Sequence, residues 1–237
     1  MGKTKIEWAT DVWNPITGCT KVSPGCARCY AERIALRFGT GTPYLPDKAT
    51  IRFHPDRLNQ PFHWKRPRRI FVCSMSDLFH EDISLWTMAR IHVVMRKCPQ
   101  HIFQTLTKRP WRANEFYNLF GVPSNVWFGT SVENQVWVDR RVPWLLVTPA
   151  KIRFLSCEPL LKPLNLSPFL HGLQWVIIGG ESGPRARKMD PEWVRDIVAQ
   201  CDEYQVPVFV KQASGPRPGQ QGDIPDDLWE RKAWPEA

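Results

Sequence analysis

The chain is 237 residues long, 43% hydrophobic and 23% charged, with a formal net charge of +9. That length and balance suit a globular chain with a substantial core, and no apolar run is long enough for a membrane span. Met1 to Trp8 is polar and reads as no signal peptide, and an odd count of seven cysteines argues against a disulfide framework, so a cytoplasmic protein with reduced thiols is expected.

The positive balance points to a polyanionic partner, nucleic acid or a phosphorylated substrate, although a basic chain can also be merely soluble. One domain over 1–237 is expected, with a cysteine loop at 18–30, a proline- and glycine-rich excursion at 39–68, a core at 69–212 and a tail at 213–237. In chain order, Trp13 to Thr17 reads as a short first strand. A helix is expected from Tyr30 to Phe38, with Ala31, Ile34, Ala35 and Phe38 on one face. The excursion carries little sheet and a short helix near Pro55 to Asn59.

From Arg69 a rhythm sets in. Apolar runs at Ile70–Ser74, Ile102–Leu106, Val126–Thr130, Ile152–Ser156, Trp175–Gly179 and Val206–Val210 read as strands. Helices are expected at about Leu85–Lys97, Trp111–Phe120, Val136–Leu146 and Pro191–Glu203, the last capped by Asp190. Short apolar strands alternating with helices predict parallel β/α units. Nearly every strand ends in a polar cluster, and a barrel brings all its strand C-termini to one rim, whereas an open sheet exposes only a crevice. A partial (β/α)6-type barrel of six or seven parallel strands is therefore predicted, with the cysteine loop N-terminal to it.

Three cysteines fall within eleven residues as Cys19-x6-Cys26-x2-Cys29, punctuated by Gly18, Pro24 and Gly25, which keep the loop out of helix. A following helix N-terminus favours thiolate. Three thiolates with no local fourth ligand describe an open site, such as a cubane iron–sulfur cluster with one iron free. Cys26-x2-Cys29 alone is also a zinc-like spacing, for which Cys73, Cys157, His54 or His80 could complete the set. Cys98 and Cys201, and with less force Cys73 and Cys157, read as packing thiols.

The loop from Gly18-Cys19 to Cys29-Tyr30, its preface Trp13-Asn14-Pro15, and Ser74-Met75-Ser76-Asp77 resemble the phage-associated three-cysteine-motif family, which is related to radical S-adenosylmethionine enzymes. The resemblance spans about Ile6 to Gln212. It implies a [4Fe-4S] cluster on Cys19, Cys26 and Cys29, with S-adenosylmethionine on the fourth iron. It further implies an enzyme that makes a 5′-deoxyadenosyl radical for hydrogen abstraction, with an external electron donor and room for a partner protein. Two departures from the superfamily pattern are the six-residue first gap, where three is commonest, and Arg28 where an aromatic usually stands.

Within that frame, Ser74, Ser76 and Asp77 are candidates for the cofactor's ammonium, and Lys108 or Arg109 for its carboxylate. Glu133 and Asn134 are candidates for its ribose, with Ser131 a further cofactor-binding candidate. Glu158, Glu181 and Lys211 lie further round and are read as facing substrate. The basic runs with Arg66, Arg68 and Arg69, and with Arg185, Arg187 and Lys188, are candidate nucleic-acid contacts. A nucleic-acid or nucleotide substrate is expected. A zinc-stabilised nucleic-acid-binding protein, or a radical enzyme for a peptide or small metabolite, are the other readings.

Overall fold

The computed structural model describes residues 4, 6–38, 43–45 and 50–236. The Gly39, Gly41 and Pro46 part of the proline- and glycine-rich excursion lies outside them.

The chain opens with β1 (Asp11–Trp13), β2 (Ile16–Thr17), α1 (Tyr30–Phe38), β3 (Arg52–Phe53) and α2 (Pro55–Leu58). Then come β4 (Arg69–Val72), α3 (Leu85–Arg96), β5 (Ile102–Thr107), α4 (Pro110–Phe120), β6 (Val126–Ser131) and α5 (Gln135–Val147). The remainder is β7 (Ile152–Cys157), α6 (Ser167–Leu170), β8 (Trp175–Gly179), α7 (Pro191–Glu203), β9 (Val208–Gln212) and α8 (Asp226–Trp229). Seven strands form one parallel sheet in the order β1-β4-β5-β6-β7-β8-β9, curled into a half-barrel with helices alternating along it. The partial barrel read from the sequence is the fold.

The expected first strand divides in two. Asp11–Trp13 pairs with β4, whereas Ile16–Thr17 pairs antiparallel with β3 in a separate ribbon. Pro15 lies between them, and a proline cannot donate to a continuing ladder. The last strand starts two residues later than its apolar run, because Val206 donates to the Cys201 carbonyl and Pro207 has no N–H. Helix α7 carries the expected cap, Asp190 accepting from the Glu192 amide. Of the face expected for α1, Ala31 is buried while Ile34 and Phe38 are exposed.

Strand alternation sorts the apolar residues into two cores. Outward residues such as Ile70, Phe103, Phe128, Leu155, Val176 and Val210 pack under the helices. Inward residues Phe71, Trp127, Phe154, Trp175 and Phe209 fill the barrel, with Trp8 inserted among them at 4.7 Å from Phe71 between ring centroids. This aromatic layer plugs the end of the barrel at which the strands begin, and Trp234 closes it from the C-terminal side against Phe209. The other end, where the polar residues gather, is left for chemistry. Residues Arg231 to Ala233 run along β9 and cover its edge. No helix among the described residues is long and apolar enough to cross a membrane.

Candidate functional site

The cysteine loop lies over the C-terminal end of the strands. It leaves β2 through Gly18, whose φ of +93° and approach to the Thr50 carbonyl leave no room for a side chain: a Cβ would sit 1.7 Å from that oxygen. The Gly18 amide donates to the Met75 carbonyl at 3.1 Å, tying the loop to the segment after β4. A single 3-10 turn, Pro24–Cys26, follows. Cys29 directly precedes α1, so the Ala31 and Glu32 amides at the helix start act on its sulfur. Cys19, Cys26 and Cys29 are free and partly exposed, whereas Cys73, Cys98, Cys157 and Cys201 are buried in the outer core, as packing thiols would be.

Three buried carboxylates, each from the end of a different strand and each paired with arginine, hold this loop. After β4, Asp77 accepts from the Phe79 amide (3.0 Å), Thr107 hydroxyl (2.7 Å), Lys108 amide (3.0 Å) and Arg109 Nη1 (3.2 Å). Arg109 in turn donates to the Thr20 hydroxyl at 2.7 Å and lies 3.9 Å from the Cys19 sulfur. After β6, Glu133 accepts from the Gly25 amide at 3.0 Å and from Arg141 at 3.1 Å. After β8, Glu181 accepts from Arg28 Nη1 at 3.2 Å and from the Arg187 side chain and amide, while Arg187 Nη2 reaches the Pro24 carbonyl at 3.0 Å. Gly183 belongs to the same grip: it has a φ of +120°, and a Cβ there would meet the Arg33 guanidinium at 1.9 Å.

The charges respond to these contacts. Burial alone would raise Asp77, but Arg109 and the three other donors hold its carboxyl below the usual carboxylate range. Glu181 is likewise lowered, Arg187 outweighing burial. Burial, then Asp77, pushes the Cys19 thiol up to about 12, with Arg109 opposing. Burial also raises Cys29, against the two helix amides and Lys108.

These contacts change what several expected residues do. The Asp77, Arg109, Glu133 and Glu181 side chains are already engaged within the protein. Ser76 donates to the Ile16 carbonyl and Ser74 bonds reciprocally with Asn14. Asn134 caps α5 by accepting from the Trp137 amide, and Ser131 is buried at the end of β6. Lys108, partly exposed, has no ion pair among the described residues, and it follows Gln104 and Leu106 on the inward register of β5. Glu158 and Lys211 form an ion pair across the rim. Lys211 is the extra residue of a bulge, since Ile178 pairs with Val210 and Gly179 with Gln212.

The two basic runs part company. Arg69 begins β4, so Arg66, Arg68 and Arg69 lie at the entry end of the strands, opposite the cysteine loop. Arg68 pairs with Asp11, and Arg69 packs over Trp234. Arg187 is committed to Glu181, but Arg185 and Lys188 are exposed beside the loop and help line a cleft of about 440 Å³ with Ser214, Pro216 and Asp223. Sequence reasoning missed Thr20, Arg28 and Arg141, and considered His80 only as a fourth ligand for zinc. His80 accepts the Asp82 amide at Nδ1 and so donates from Nε2 to Thr20, 2.8 Å away. Only Arg28, a charge set between two cysteines, carried a signal.

The fold is thus a parallel half-barrel of the α/β class, with a cysteine loop lying over the C-terminal end of its strands. Two solved structures are similar to it at a TM-score of 0.50 and 12% identity. One is spore photoproduct lyase as a cysteine-to-serine mutant, with 86% of this chain covering 75% of that one. The other is spore photoproduct lyase complexed with dinucleoside spore photoproduct, with 85% covering 63%. At that identity the likeness is one of fold. No curated protein matches the chain. Residues 3–226 match the family described as protein of unknown function (DUF5131), and the chain belongs to that family.

Proposed function

We propose that this protein is a radical S-adenosylmethionine enzyme acting on a nucleic acid or nucleotide. The observation that carries the reading is the cysteine loop itself: three partly exposed thiols over the open end of a parallel half-barrel, gripped by three strand ends. The alternative fourth ligands are spoken for. Cys73 and Cys157 are buried in the outer core, His54 bonds Thr17, and His80 bonds Thr20. Among the described residues no three His, Cys, Asp or Glu side chains are gathered as a single-ion site. A cubane binds its three thiolates to three different irons, so they need not converge.

The donor set therefore fits a [4Fe-4S] cluster on Cys19, Cys26 and Cys29. When bound and reduced by an external one-electron donor, that group supplies the electron that cleaves S-adenosylmethionine to a hydrogen-abstracting 5′-deoxyadenosyl radical. Lys108 is the inward cation left to hold the cofactor's carboxylate. The aromatic layer beneath excludes water from the cavity floor. Glu158 and Lys211 offer an acceptor and a donor to whatever group of the substrate faces them. A nucleotide substrate is favoured by Arg185 and Lys188 at the same end, and one fold neighbour is described in complex with a dinucleoside lesion. The phage association rests on the motif resemblance alone.

The test is anaerobic reconstitution with iron and sulfide, followed by an assay for 5′-deoxyadenosine with dithionite as reductant. Wild type should bind about four irons and form the nucleoside. Cys19→Ala, Cys26→Ala and Cys29→Ala should each lose the cluster, while Cys98→Ala keeps it. Full iron in Cys26→Ala, or zinc in place of iron, would sink the reading.

A further inference from the structure

Arg141, on α5, has no exposed surface, yet only one corner of its guanidinium is used. Nη1 donates to the Ser131 carbonyl at 2.8 Å and to Glu133 Oε2 at 3.1 Å. One face packs over the Trp137 ring, 3.9 Å from its centroid. Nη2 and Nε are buried with no acceptor among the described residues. Buried donors of a charged group left unpaired are among the costliest defects a fold can carry, so an acceptor outside the described residues is called for. Its place is narrowed by Glu133, whose other oxygen accepts the amide of Gly25, next to Cys26.

We infer that Arg141 is a positioning and tuning residue at the Cys26 corner of the cluster, its Nη2–H and Nε–H donating to the anionic sulfur there. This rests on the cluster reading above. The mechanism is electrostatic: a fixed cation with N–H donors stabilises the more negative, reduced cluster and so raises its reduction potential. Arginine is required because its fork lets Nη1 hold Ser131 and Glu133 while the other arm serves a different acceptor. Lysine has one point of charge and cannot do both.

The experiment compares wild type with Arg141→Lys after anaerobic reconstitution with iron and sulfide. The midpoint potential is found by titration with titanium(III) citrate, and the reduced cluster is examined by EPR without S-adenosylmethionine. Iron content should stay at the wild-type level while the midpoint falls by about 59 mV, a tenfold shift in a one-electron equilibrium. Full iron content with an unchanged midpoint and EPR signal overturns the inference. So does a difference that appears only with S-adenosylmethionine present, which would put the free arm on the cofactor. If Arg141→Lys takes up no iron, Glu133→Gln is titrated instead, since it leaves the guanidinium in place and removes its competing anion. A raised midpoint then supports the assignment, and an unchanged or lowered one overturns it. A wild-type protein that takes up no iron removes the cluster reading itself, and this inference with it.

Discussion

Replacing Asp77 with alanine separates a structural carboxylate from a cofactor ligand. Asp77 is 6% exposed and Arg109 is 1% exposed, and the carboxylate satisfies four donors at once. Alanine would strand the Arg109 guanidinium with Glu81 as its only remaining carboxylate, and Glu81 is half exposed. Removing one partner of a buried pair costs about 3–5 kcal/mol, and a whole domain is stable by only about 5–15 kcal/mol. Urea unfolding of the iron-free protein, followed by circular dichroism, should therefore show a loss of about 3–5 kcal/mol with no cofactor present. The pH dependence has a definite sign. The Asp77 carboxyl is held below its ordinary range, so its contribution is present above that range and is lost as pH falls through the folded-state value. The gap between wild type and Asp77→Ala should accordingly narrow on acidification. A loss under about 1 kcal/mol, with only S-adenosylmethionine binding weakened, would refute this and return Asp77 to the cofactor.

The loop, the plug and the rim each give a further test. Gly25→Ala places a Cβ 3.1 Å from the Glu133 carboxyl carbon, so it should destabilise the iron-free protein by about 1–3 kcal/mol, measured by the same unfolding assay. Trp8→Ala should cost about 3–5 kcal/mol by thermal or urea unfolding. Trp8→Phe should cost much less, because the buried indole nitrogen of Trp8 has no partner among the described residues to lose. Arg185→Ser with Lys188→Ser should flatten the slope of log affinity against log salt for a DNA or RNA oligonucleotide, by roughly one unit for each phosphate that is no longer neutralised. Arg66→Ser, at the opposite end, should leave that slope unchanged.

Much of the fold could be read from the chain because its strands are buried on both faces and so write themselves as apolar runs. Trp175–Gly179 and Pro191–Glu203 lie where the runs and the Asp190 cap placed them. The short pieces were not legible. Two-residue β3 pairs with β2 across 34 intervening residues, and four-residue α6 and α8 are too short to show a period. The aromatic plug was invisible for another reason. Trp8 precedes the first strand and carries no periodicity, and its burial comes from Phe71, Phe154 and Trp175 on three other strands.

The site was half legible, and the division has a physical cause. Parallel strands bring their C-terminal residues to one end, so the polar clusters could be gathered from the sequence without knowing any contact. Which carboxylate faces a ligand and which faces an arginine depends on partners distant in the chain. Glu133 meets Gly25 from 108 positions away, and Glu181 meets Arg28 from 153. Asp77, Glu133 and Glu181 each acquire arginine, and their negative charge is spent on fixing the loop. Among the described residues Lys108 has no ion pair and Lys211 is met by Glu158, so a positive charge is left over at these strand ends. On the proposed reading the loop collects thiolates, iron and an anionic cofactor carboxylate, which needs such a balance, because each buried negative charge added there requires a cation to meet it. Arg109 and Arg187 also reach the cysteine loop, at Thr20 and Pro24, so the same pairs that stiffen the loop set the field around its sulfurs.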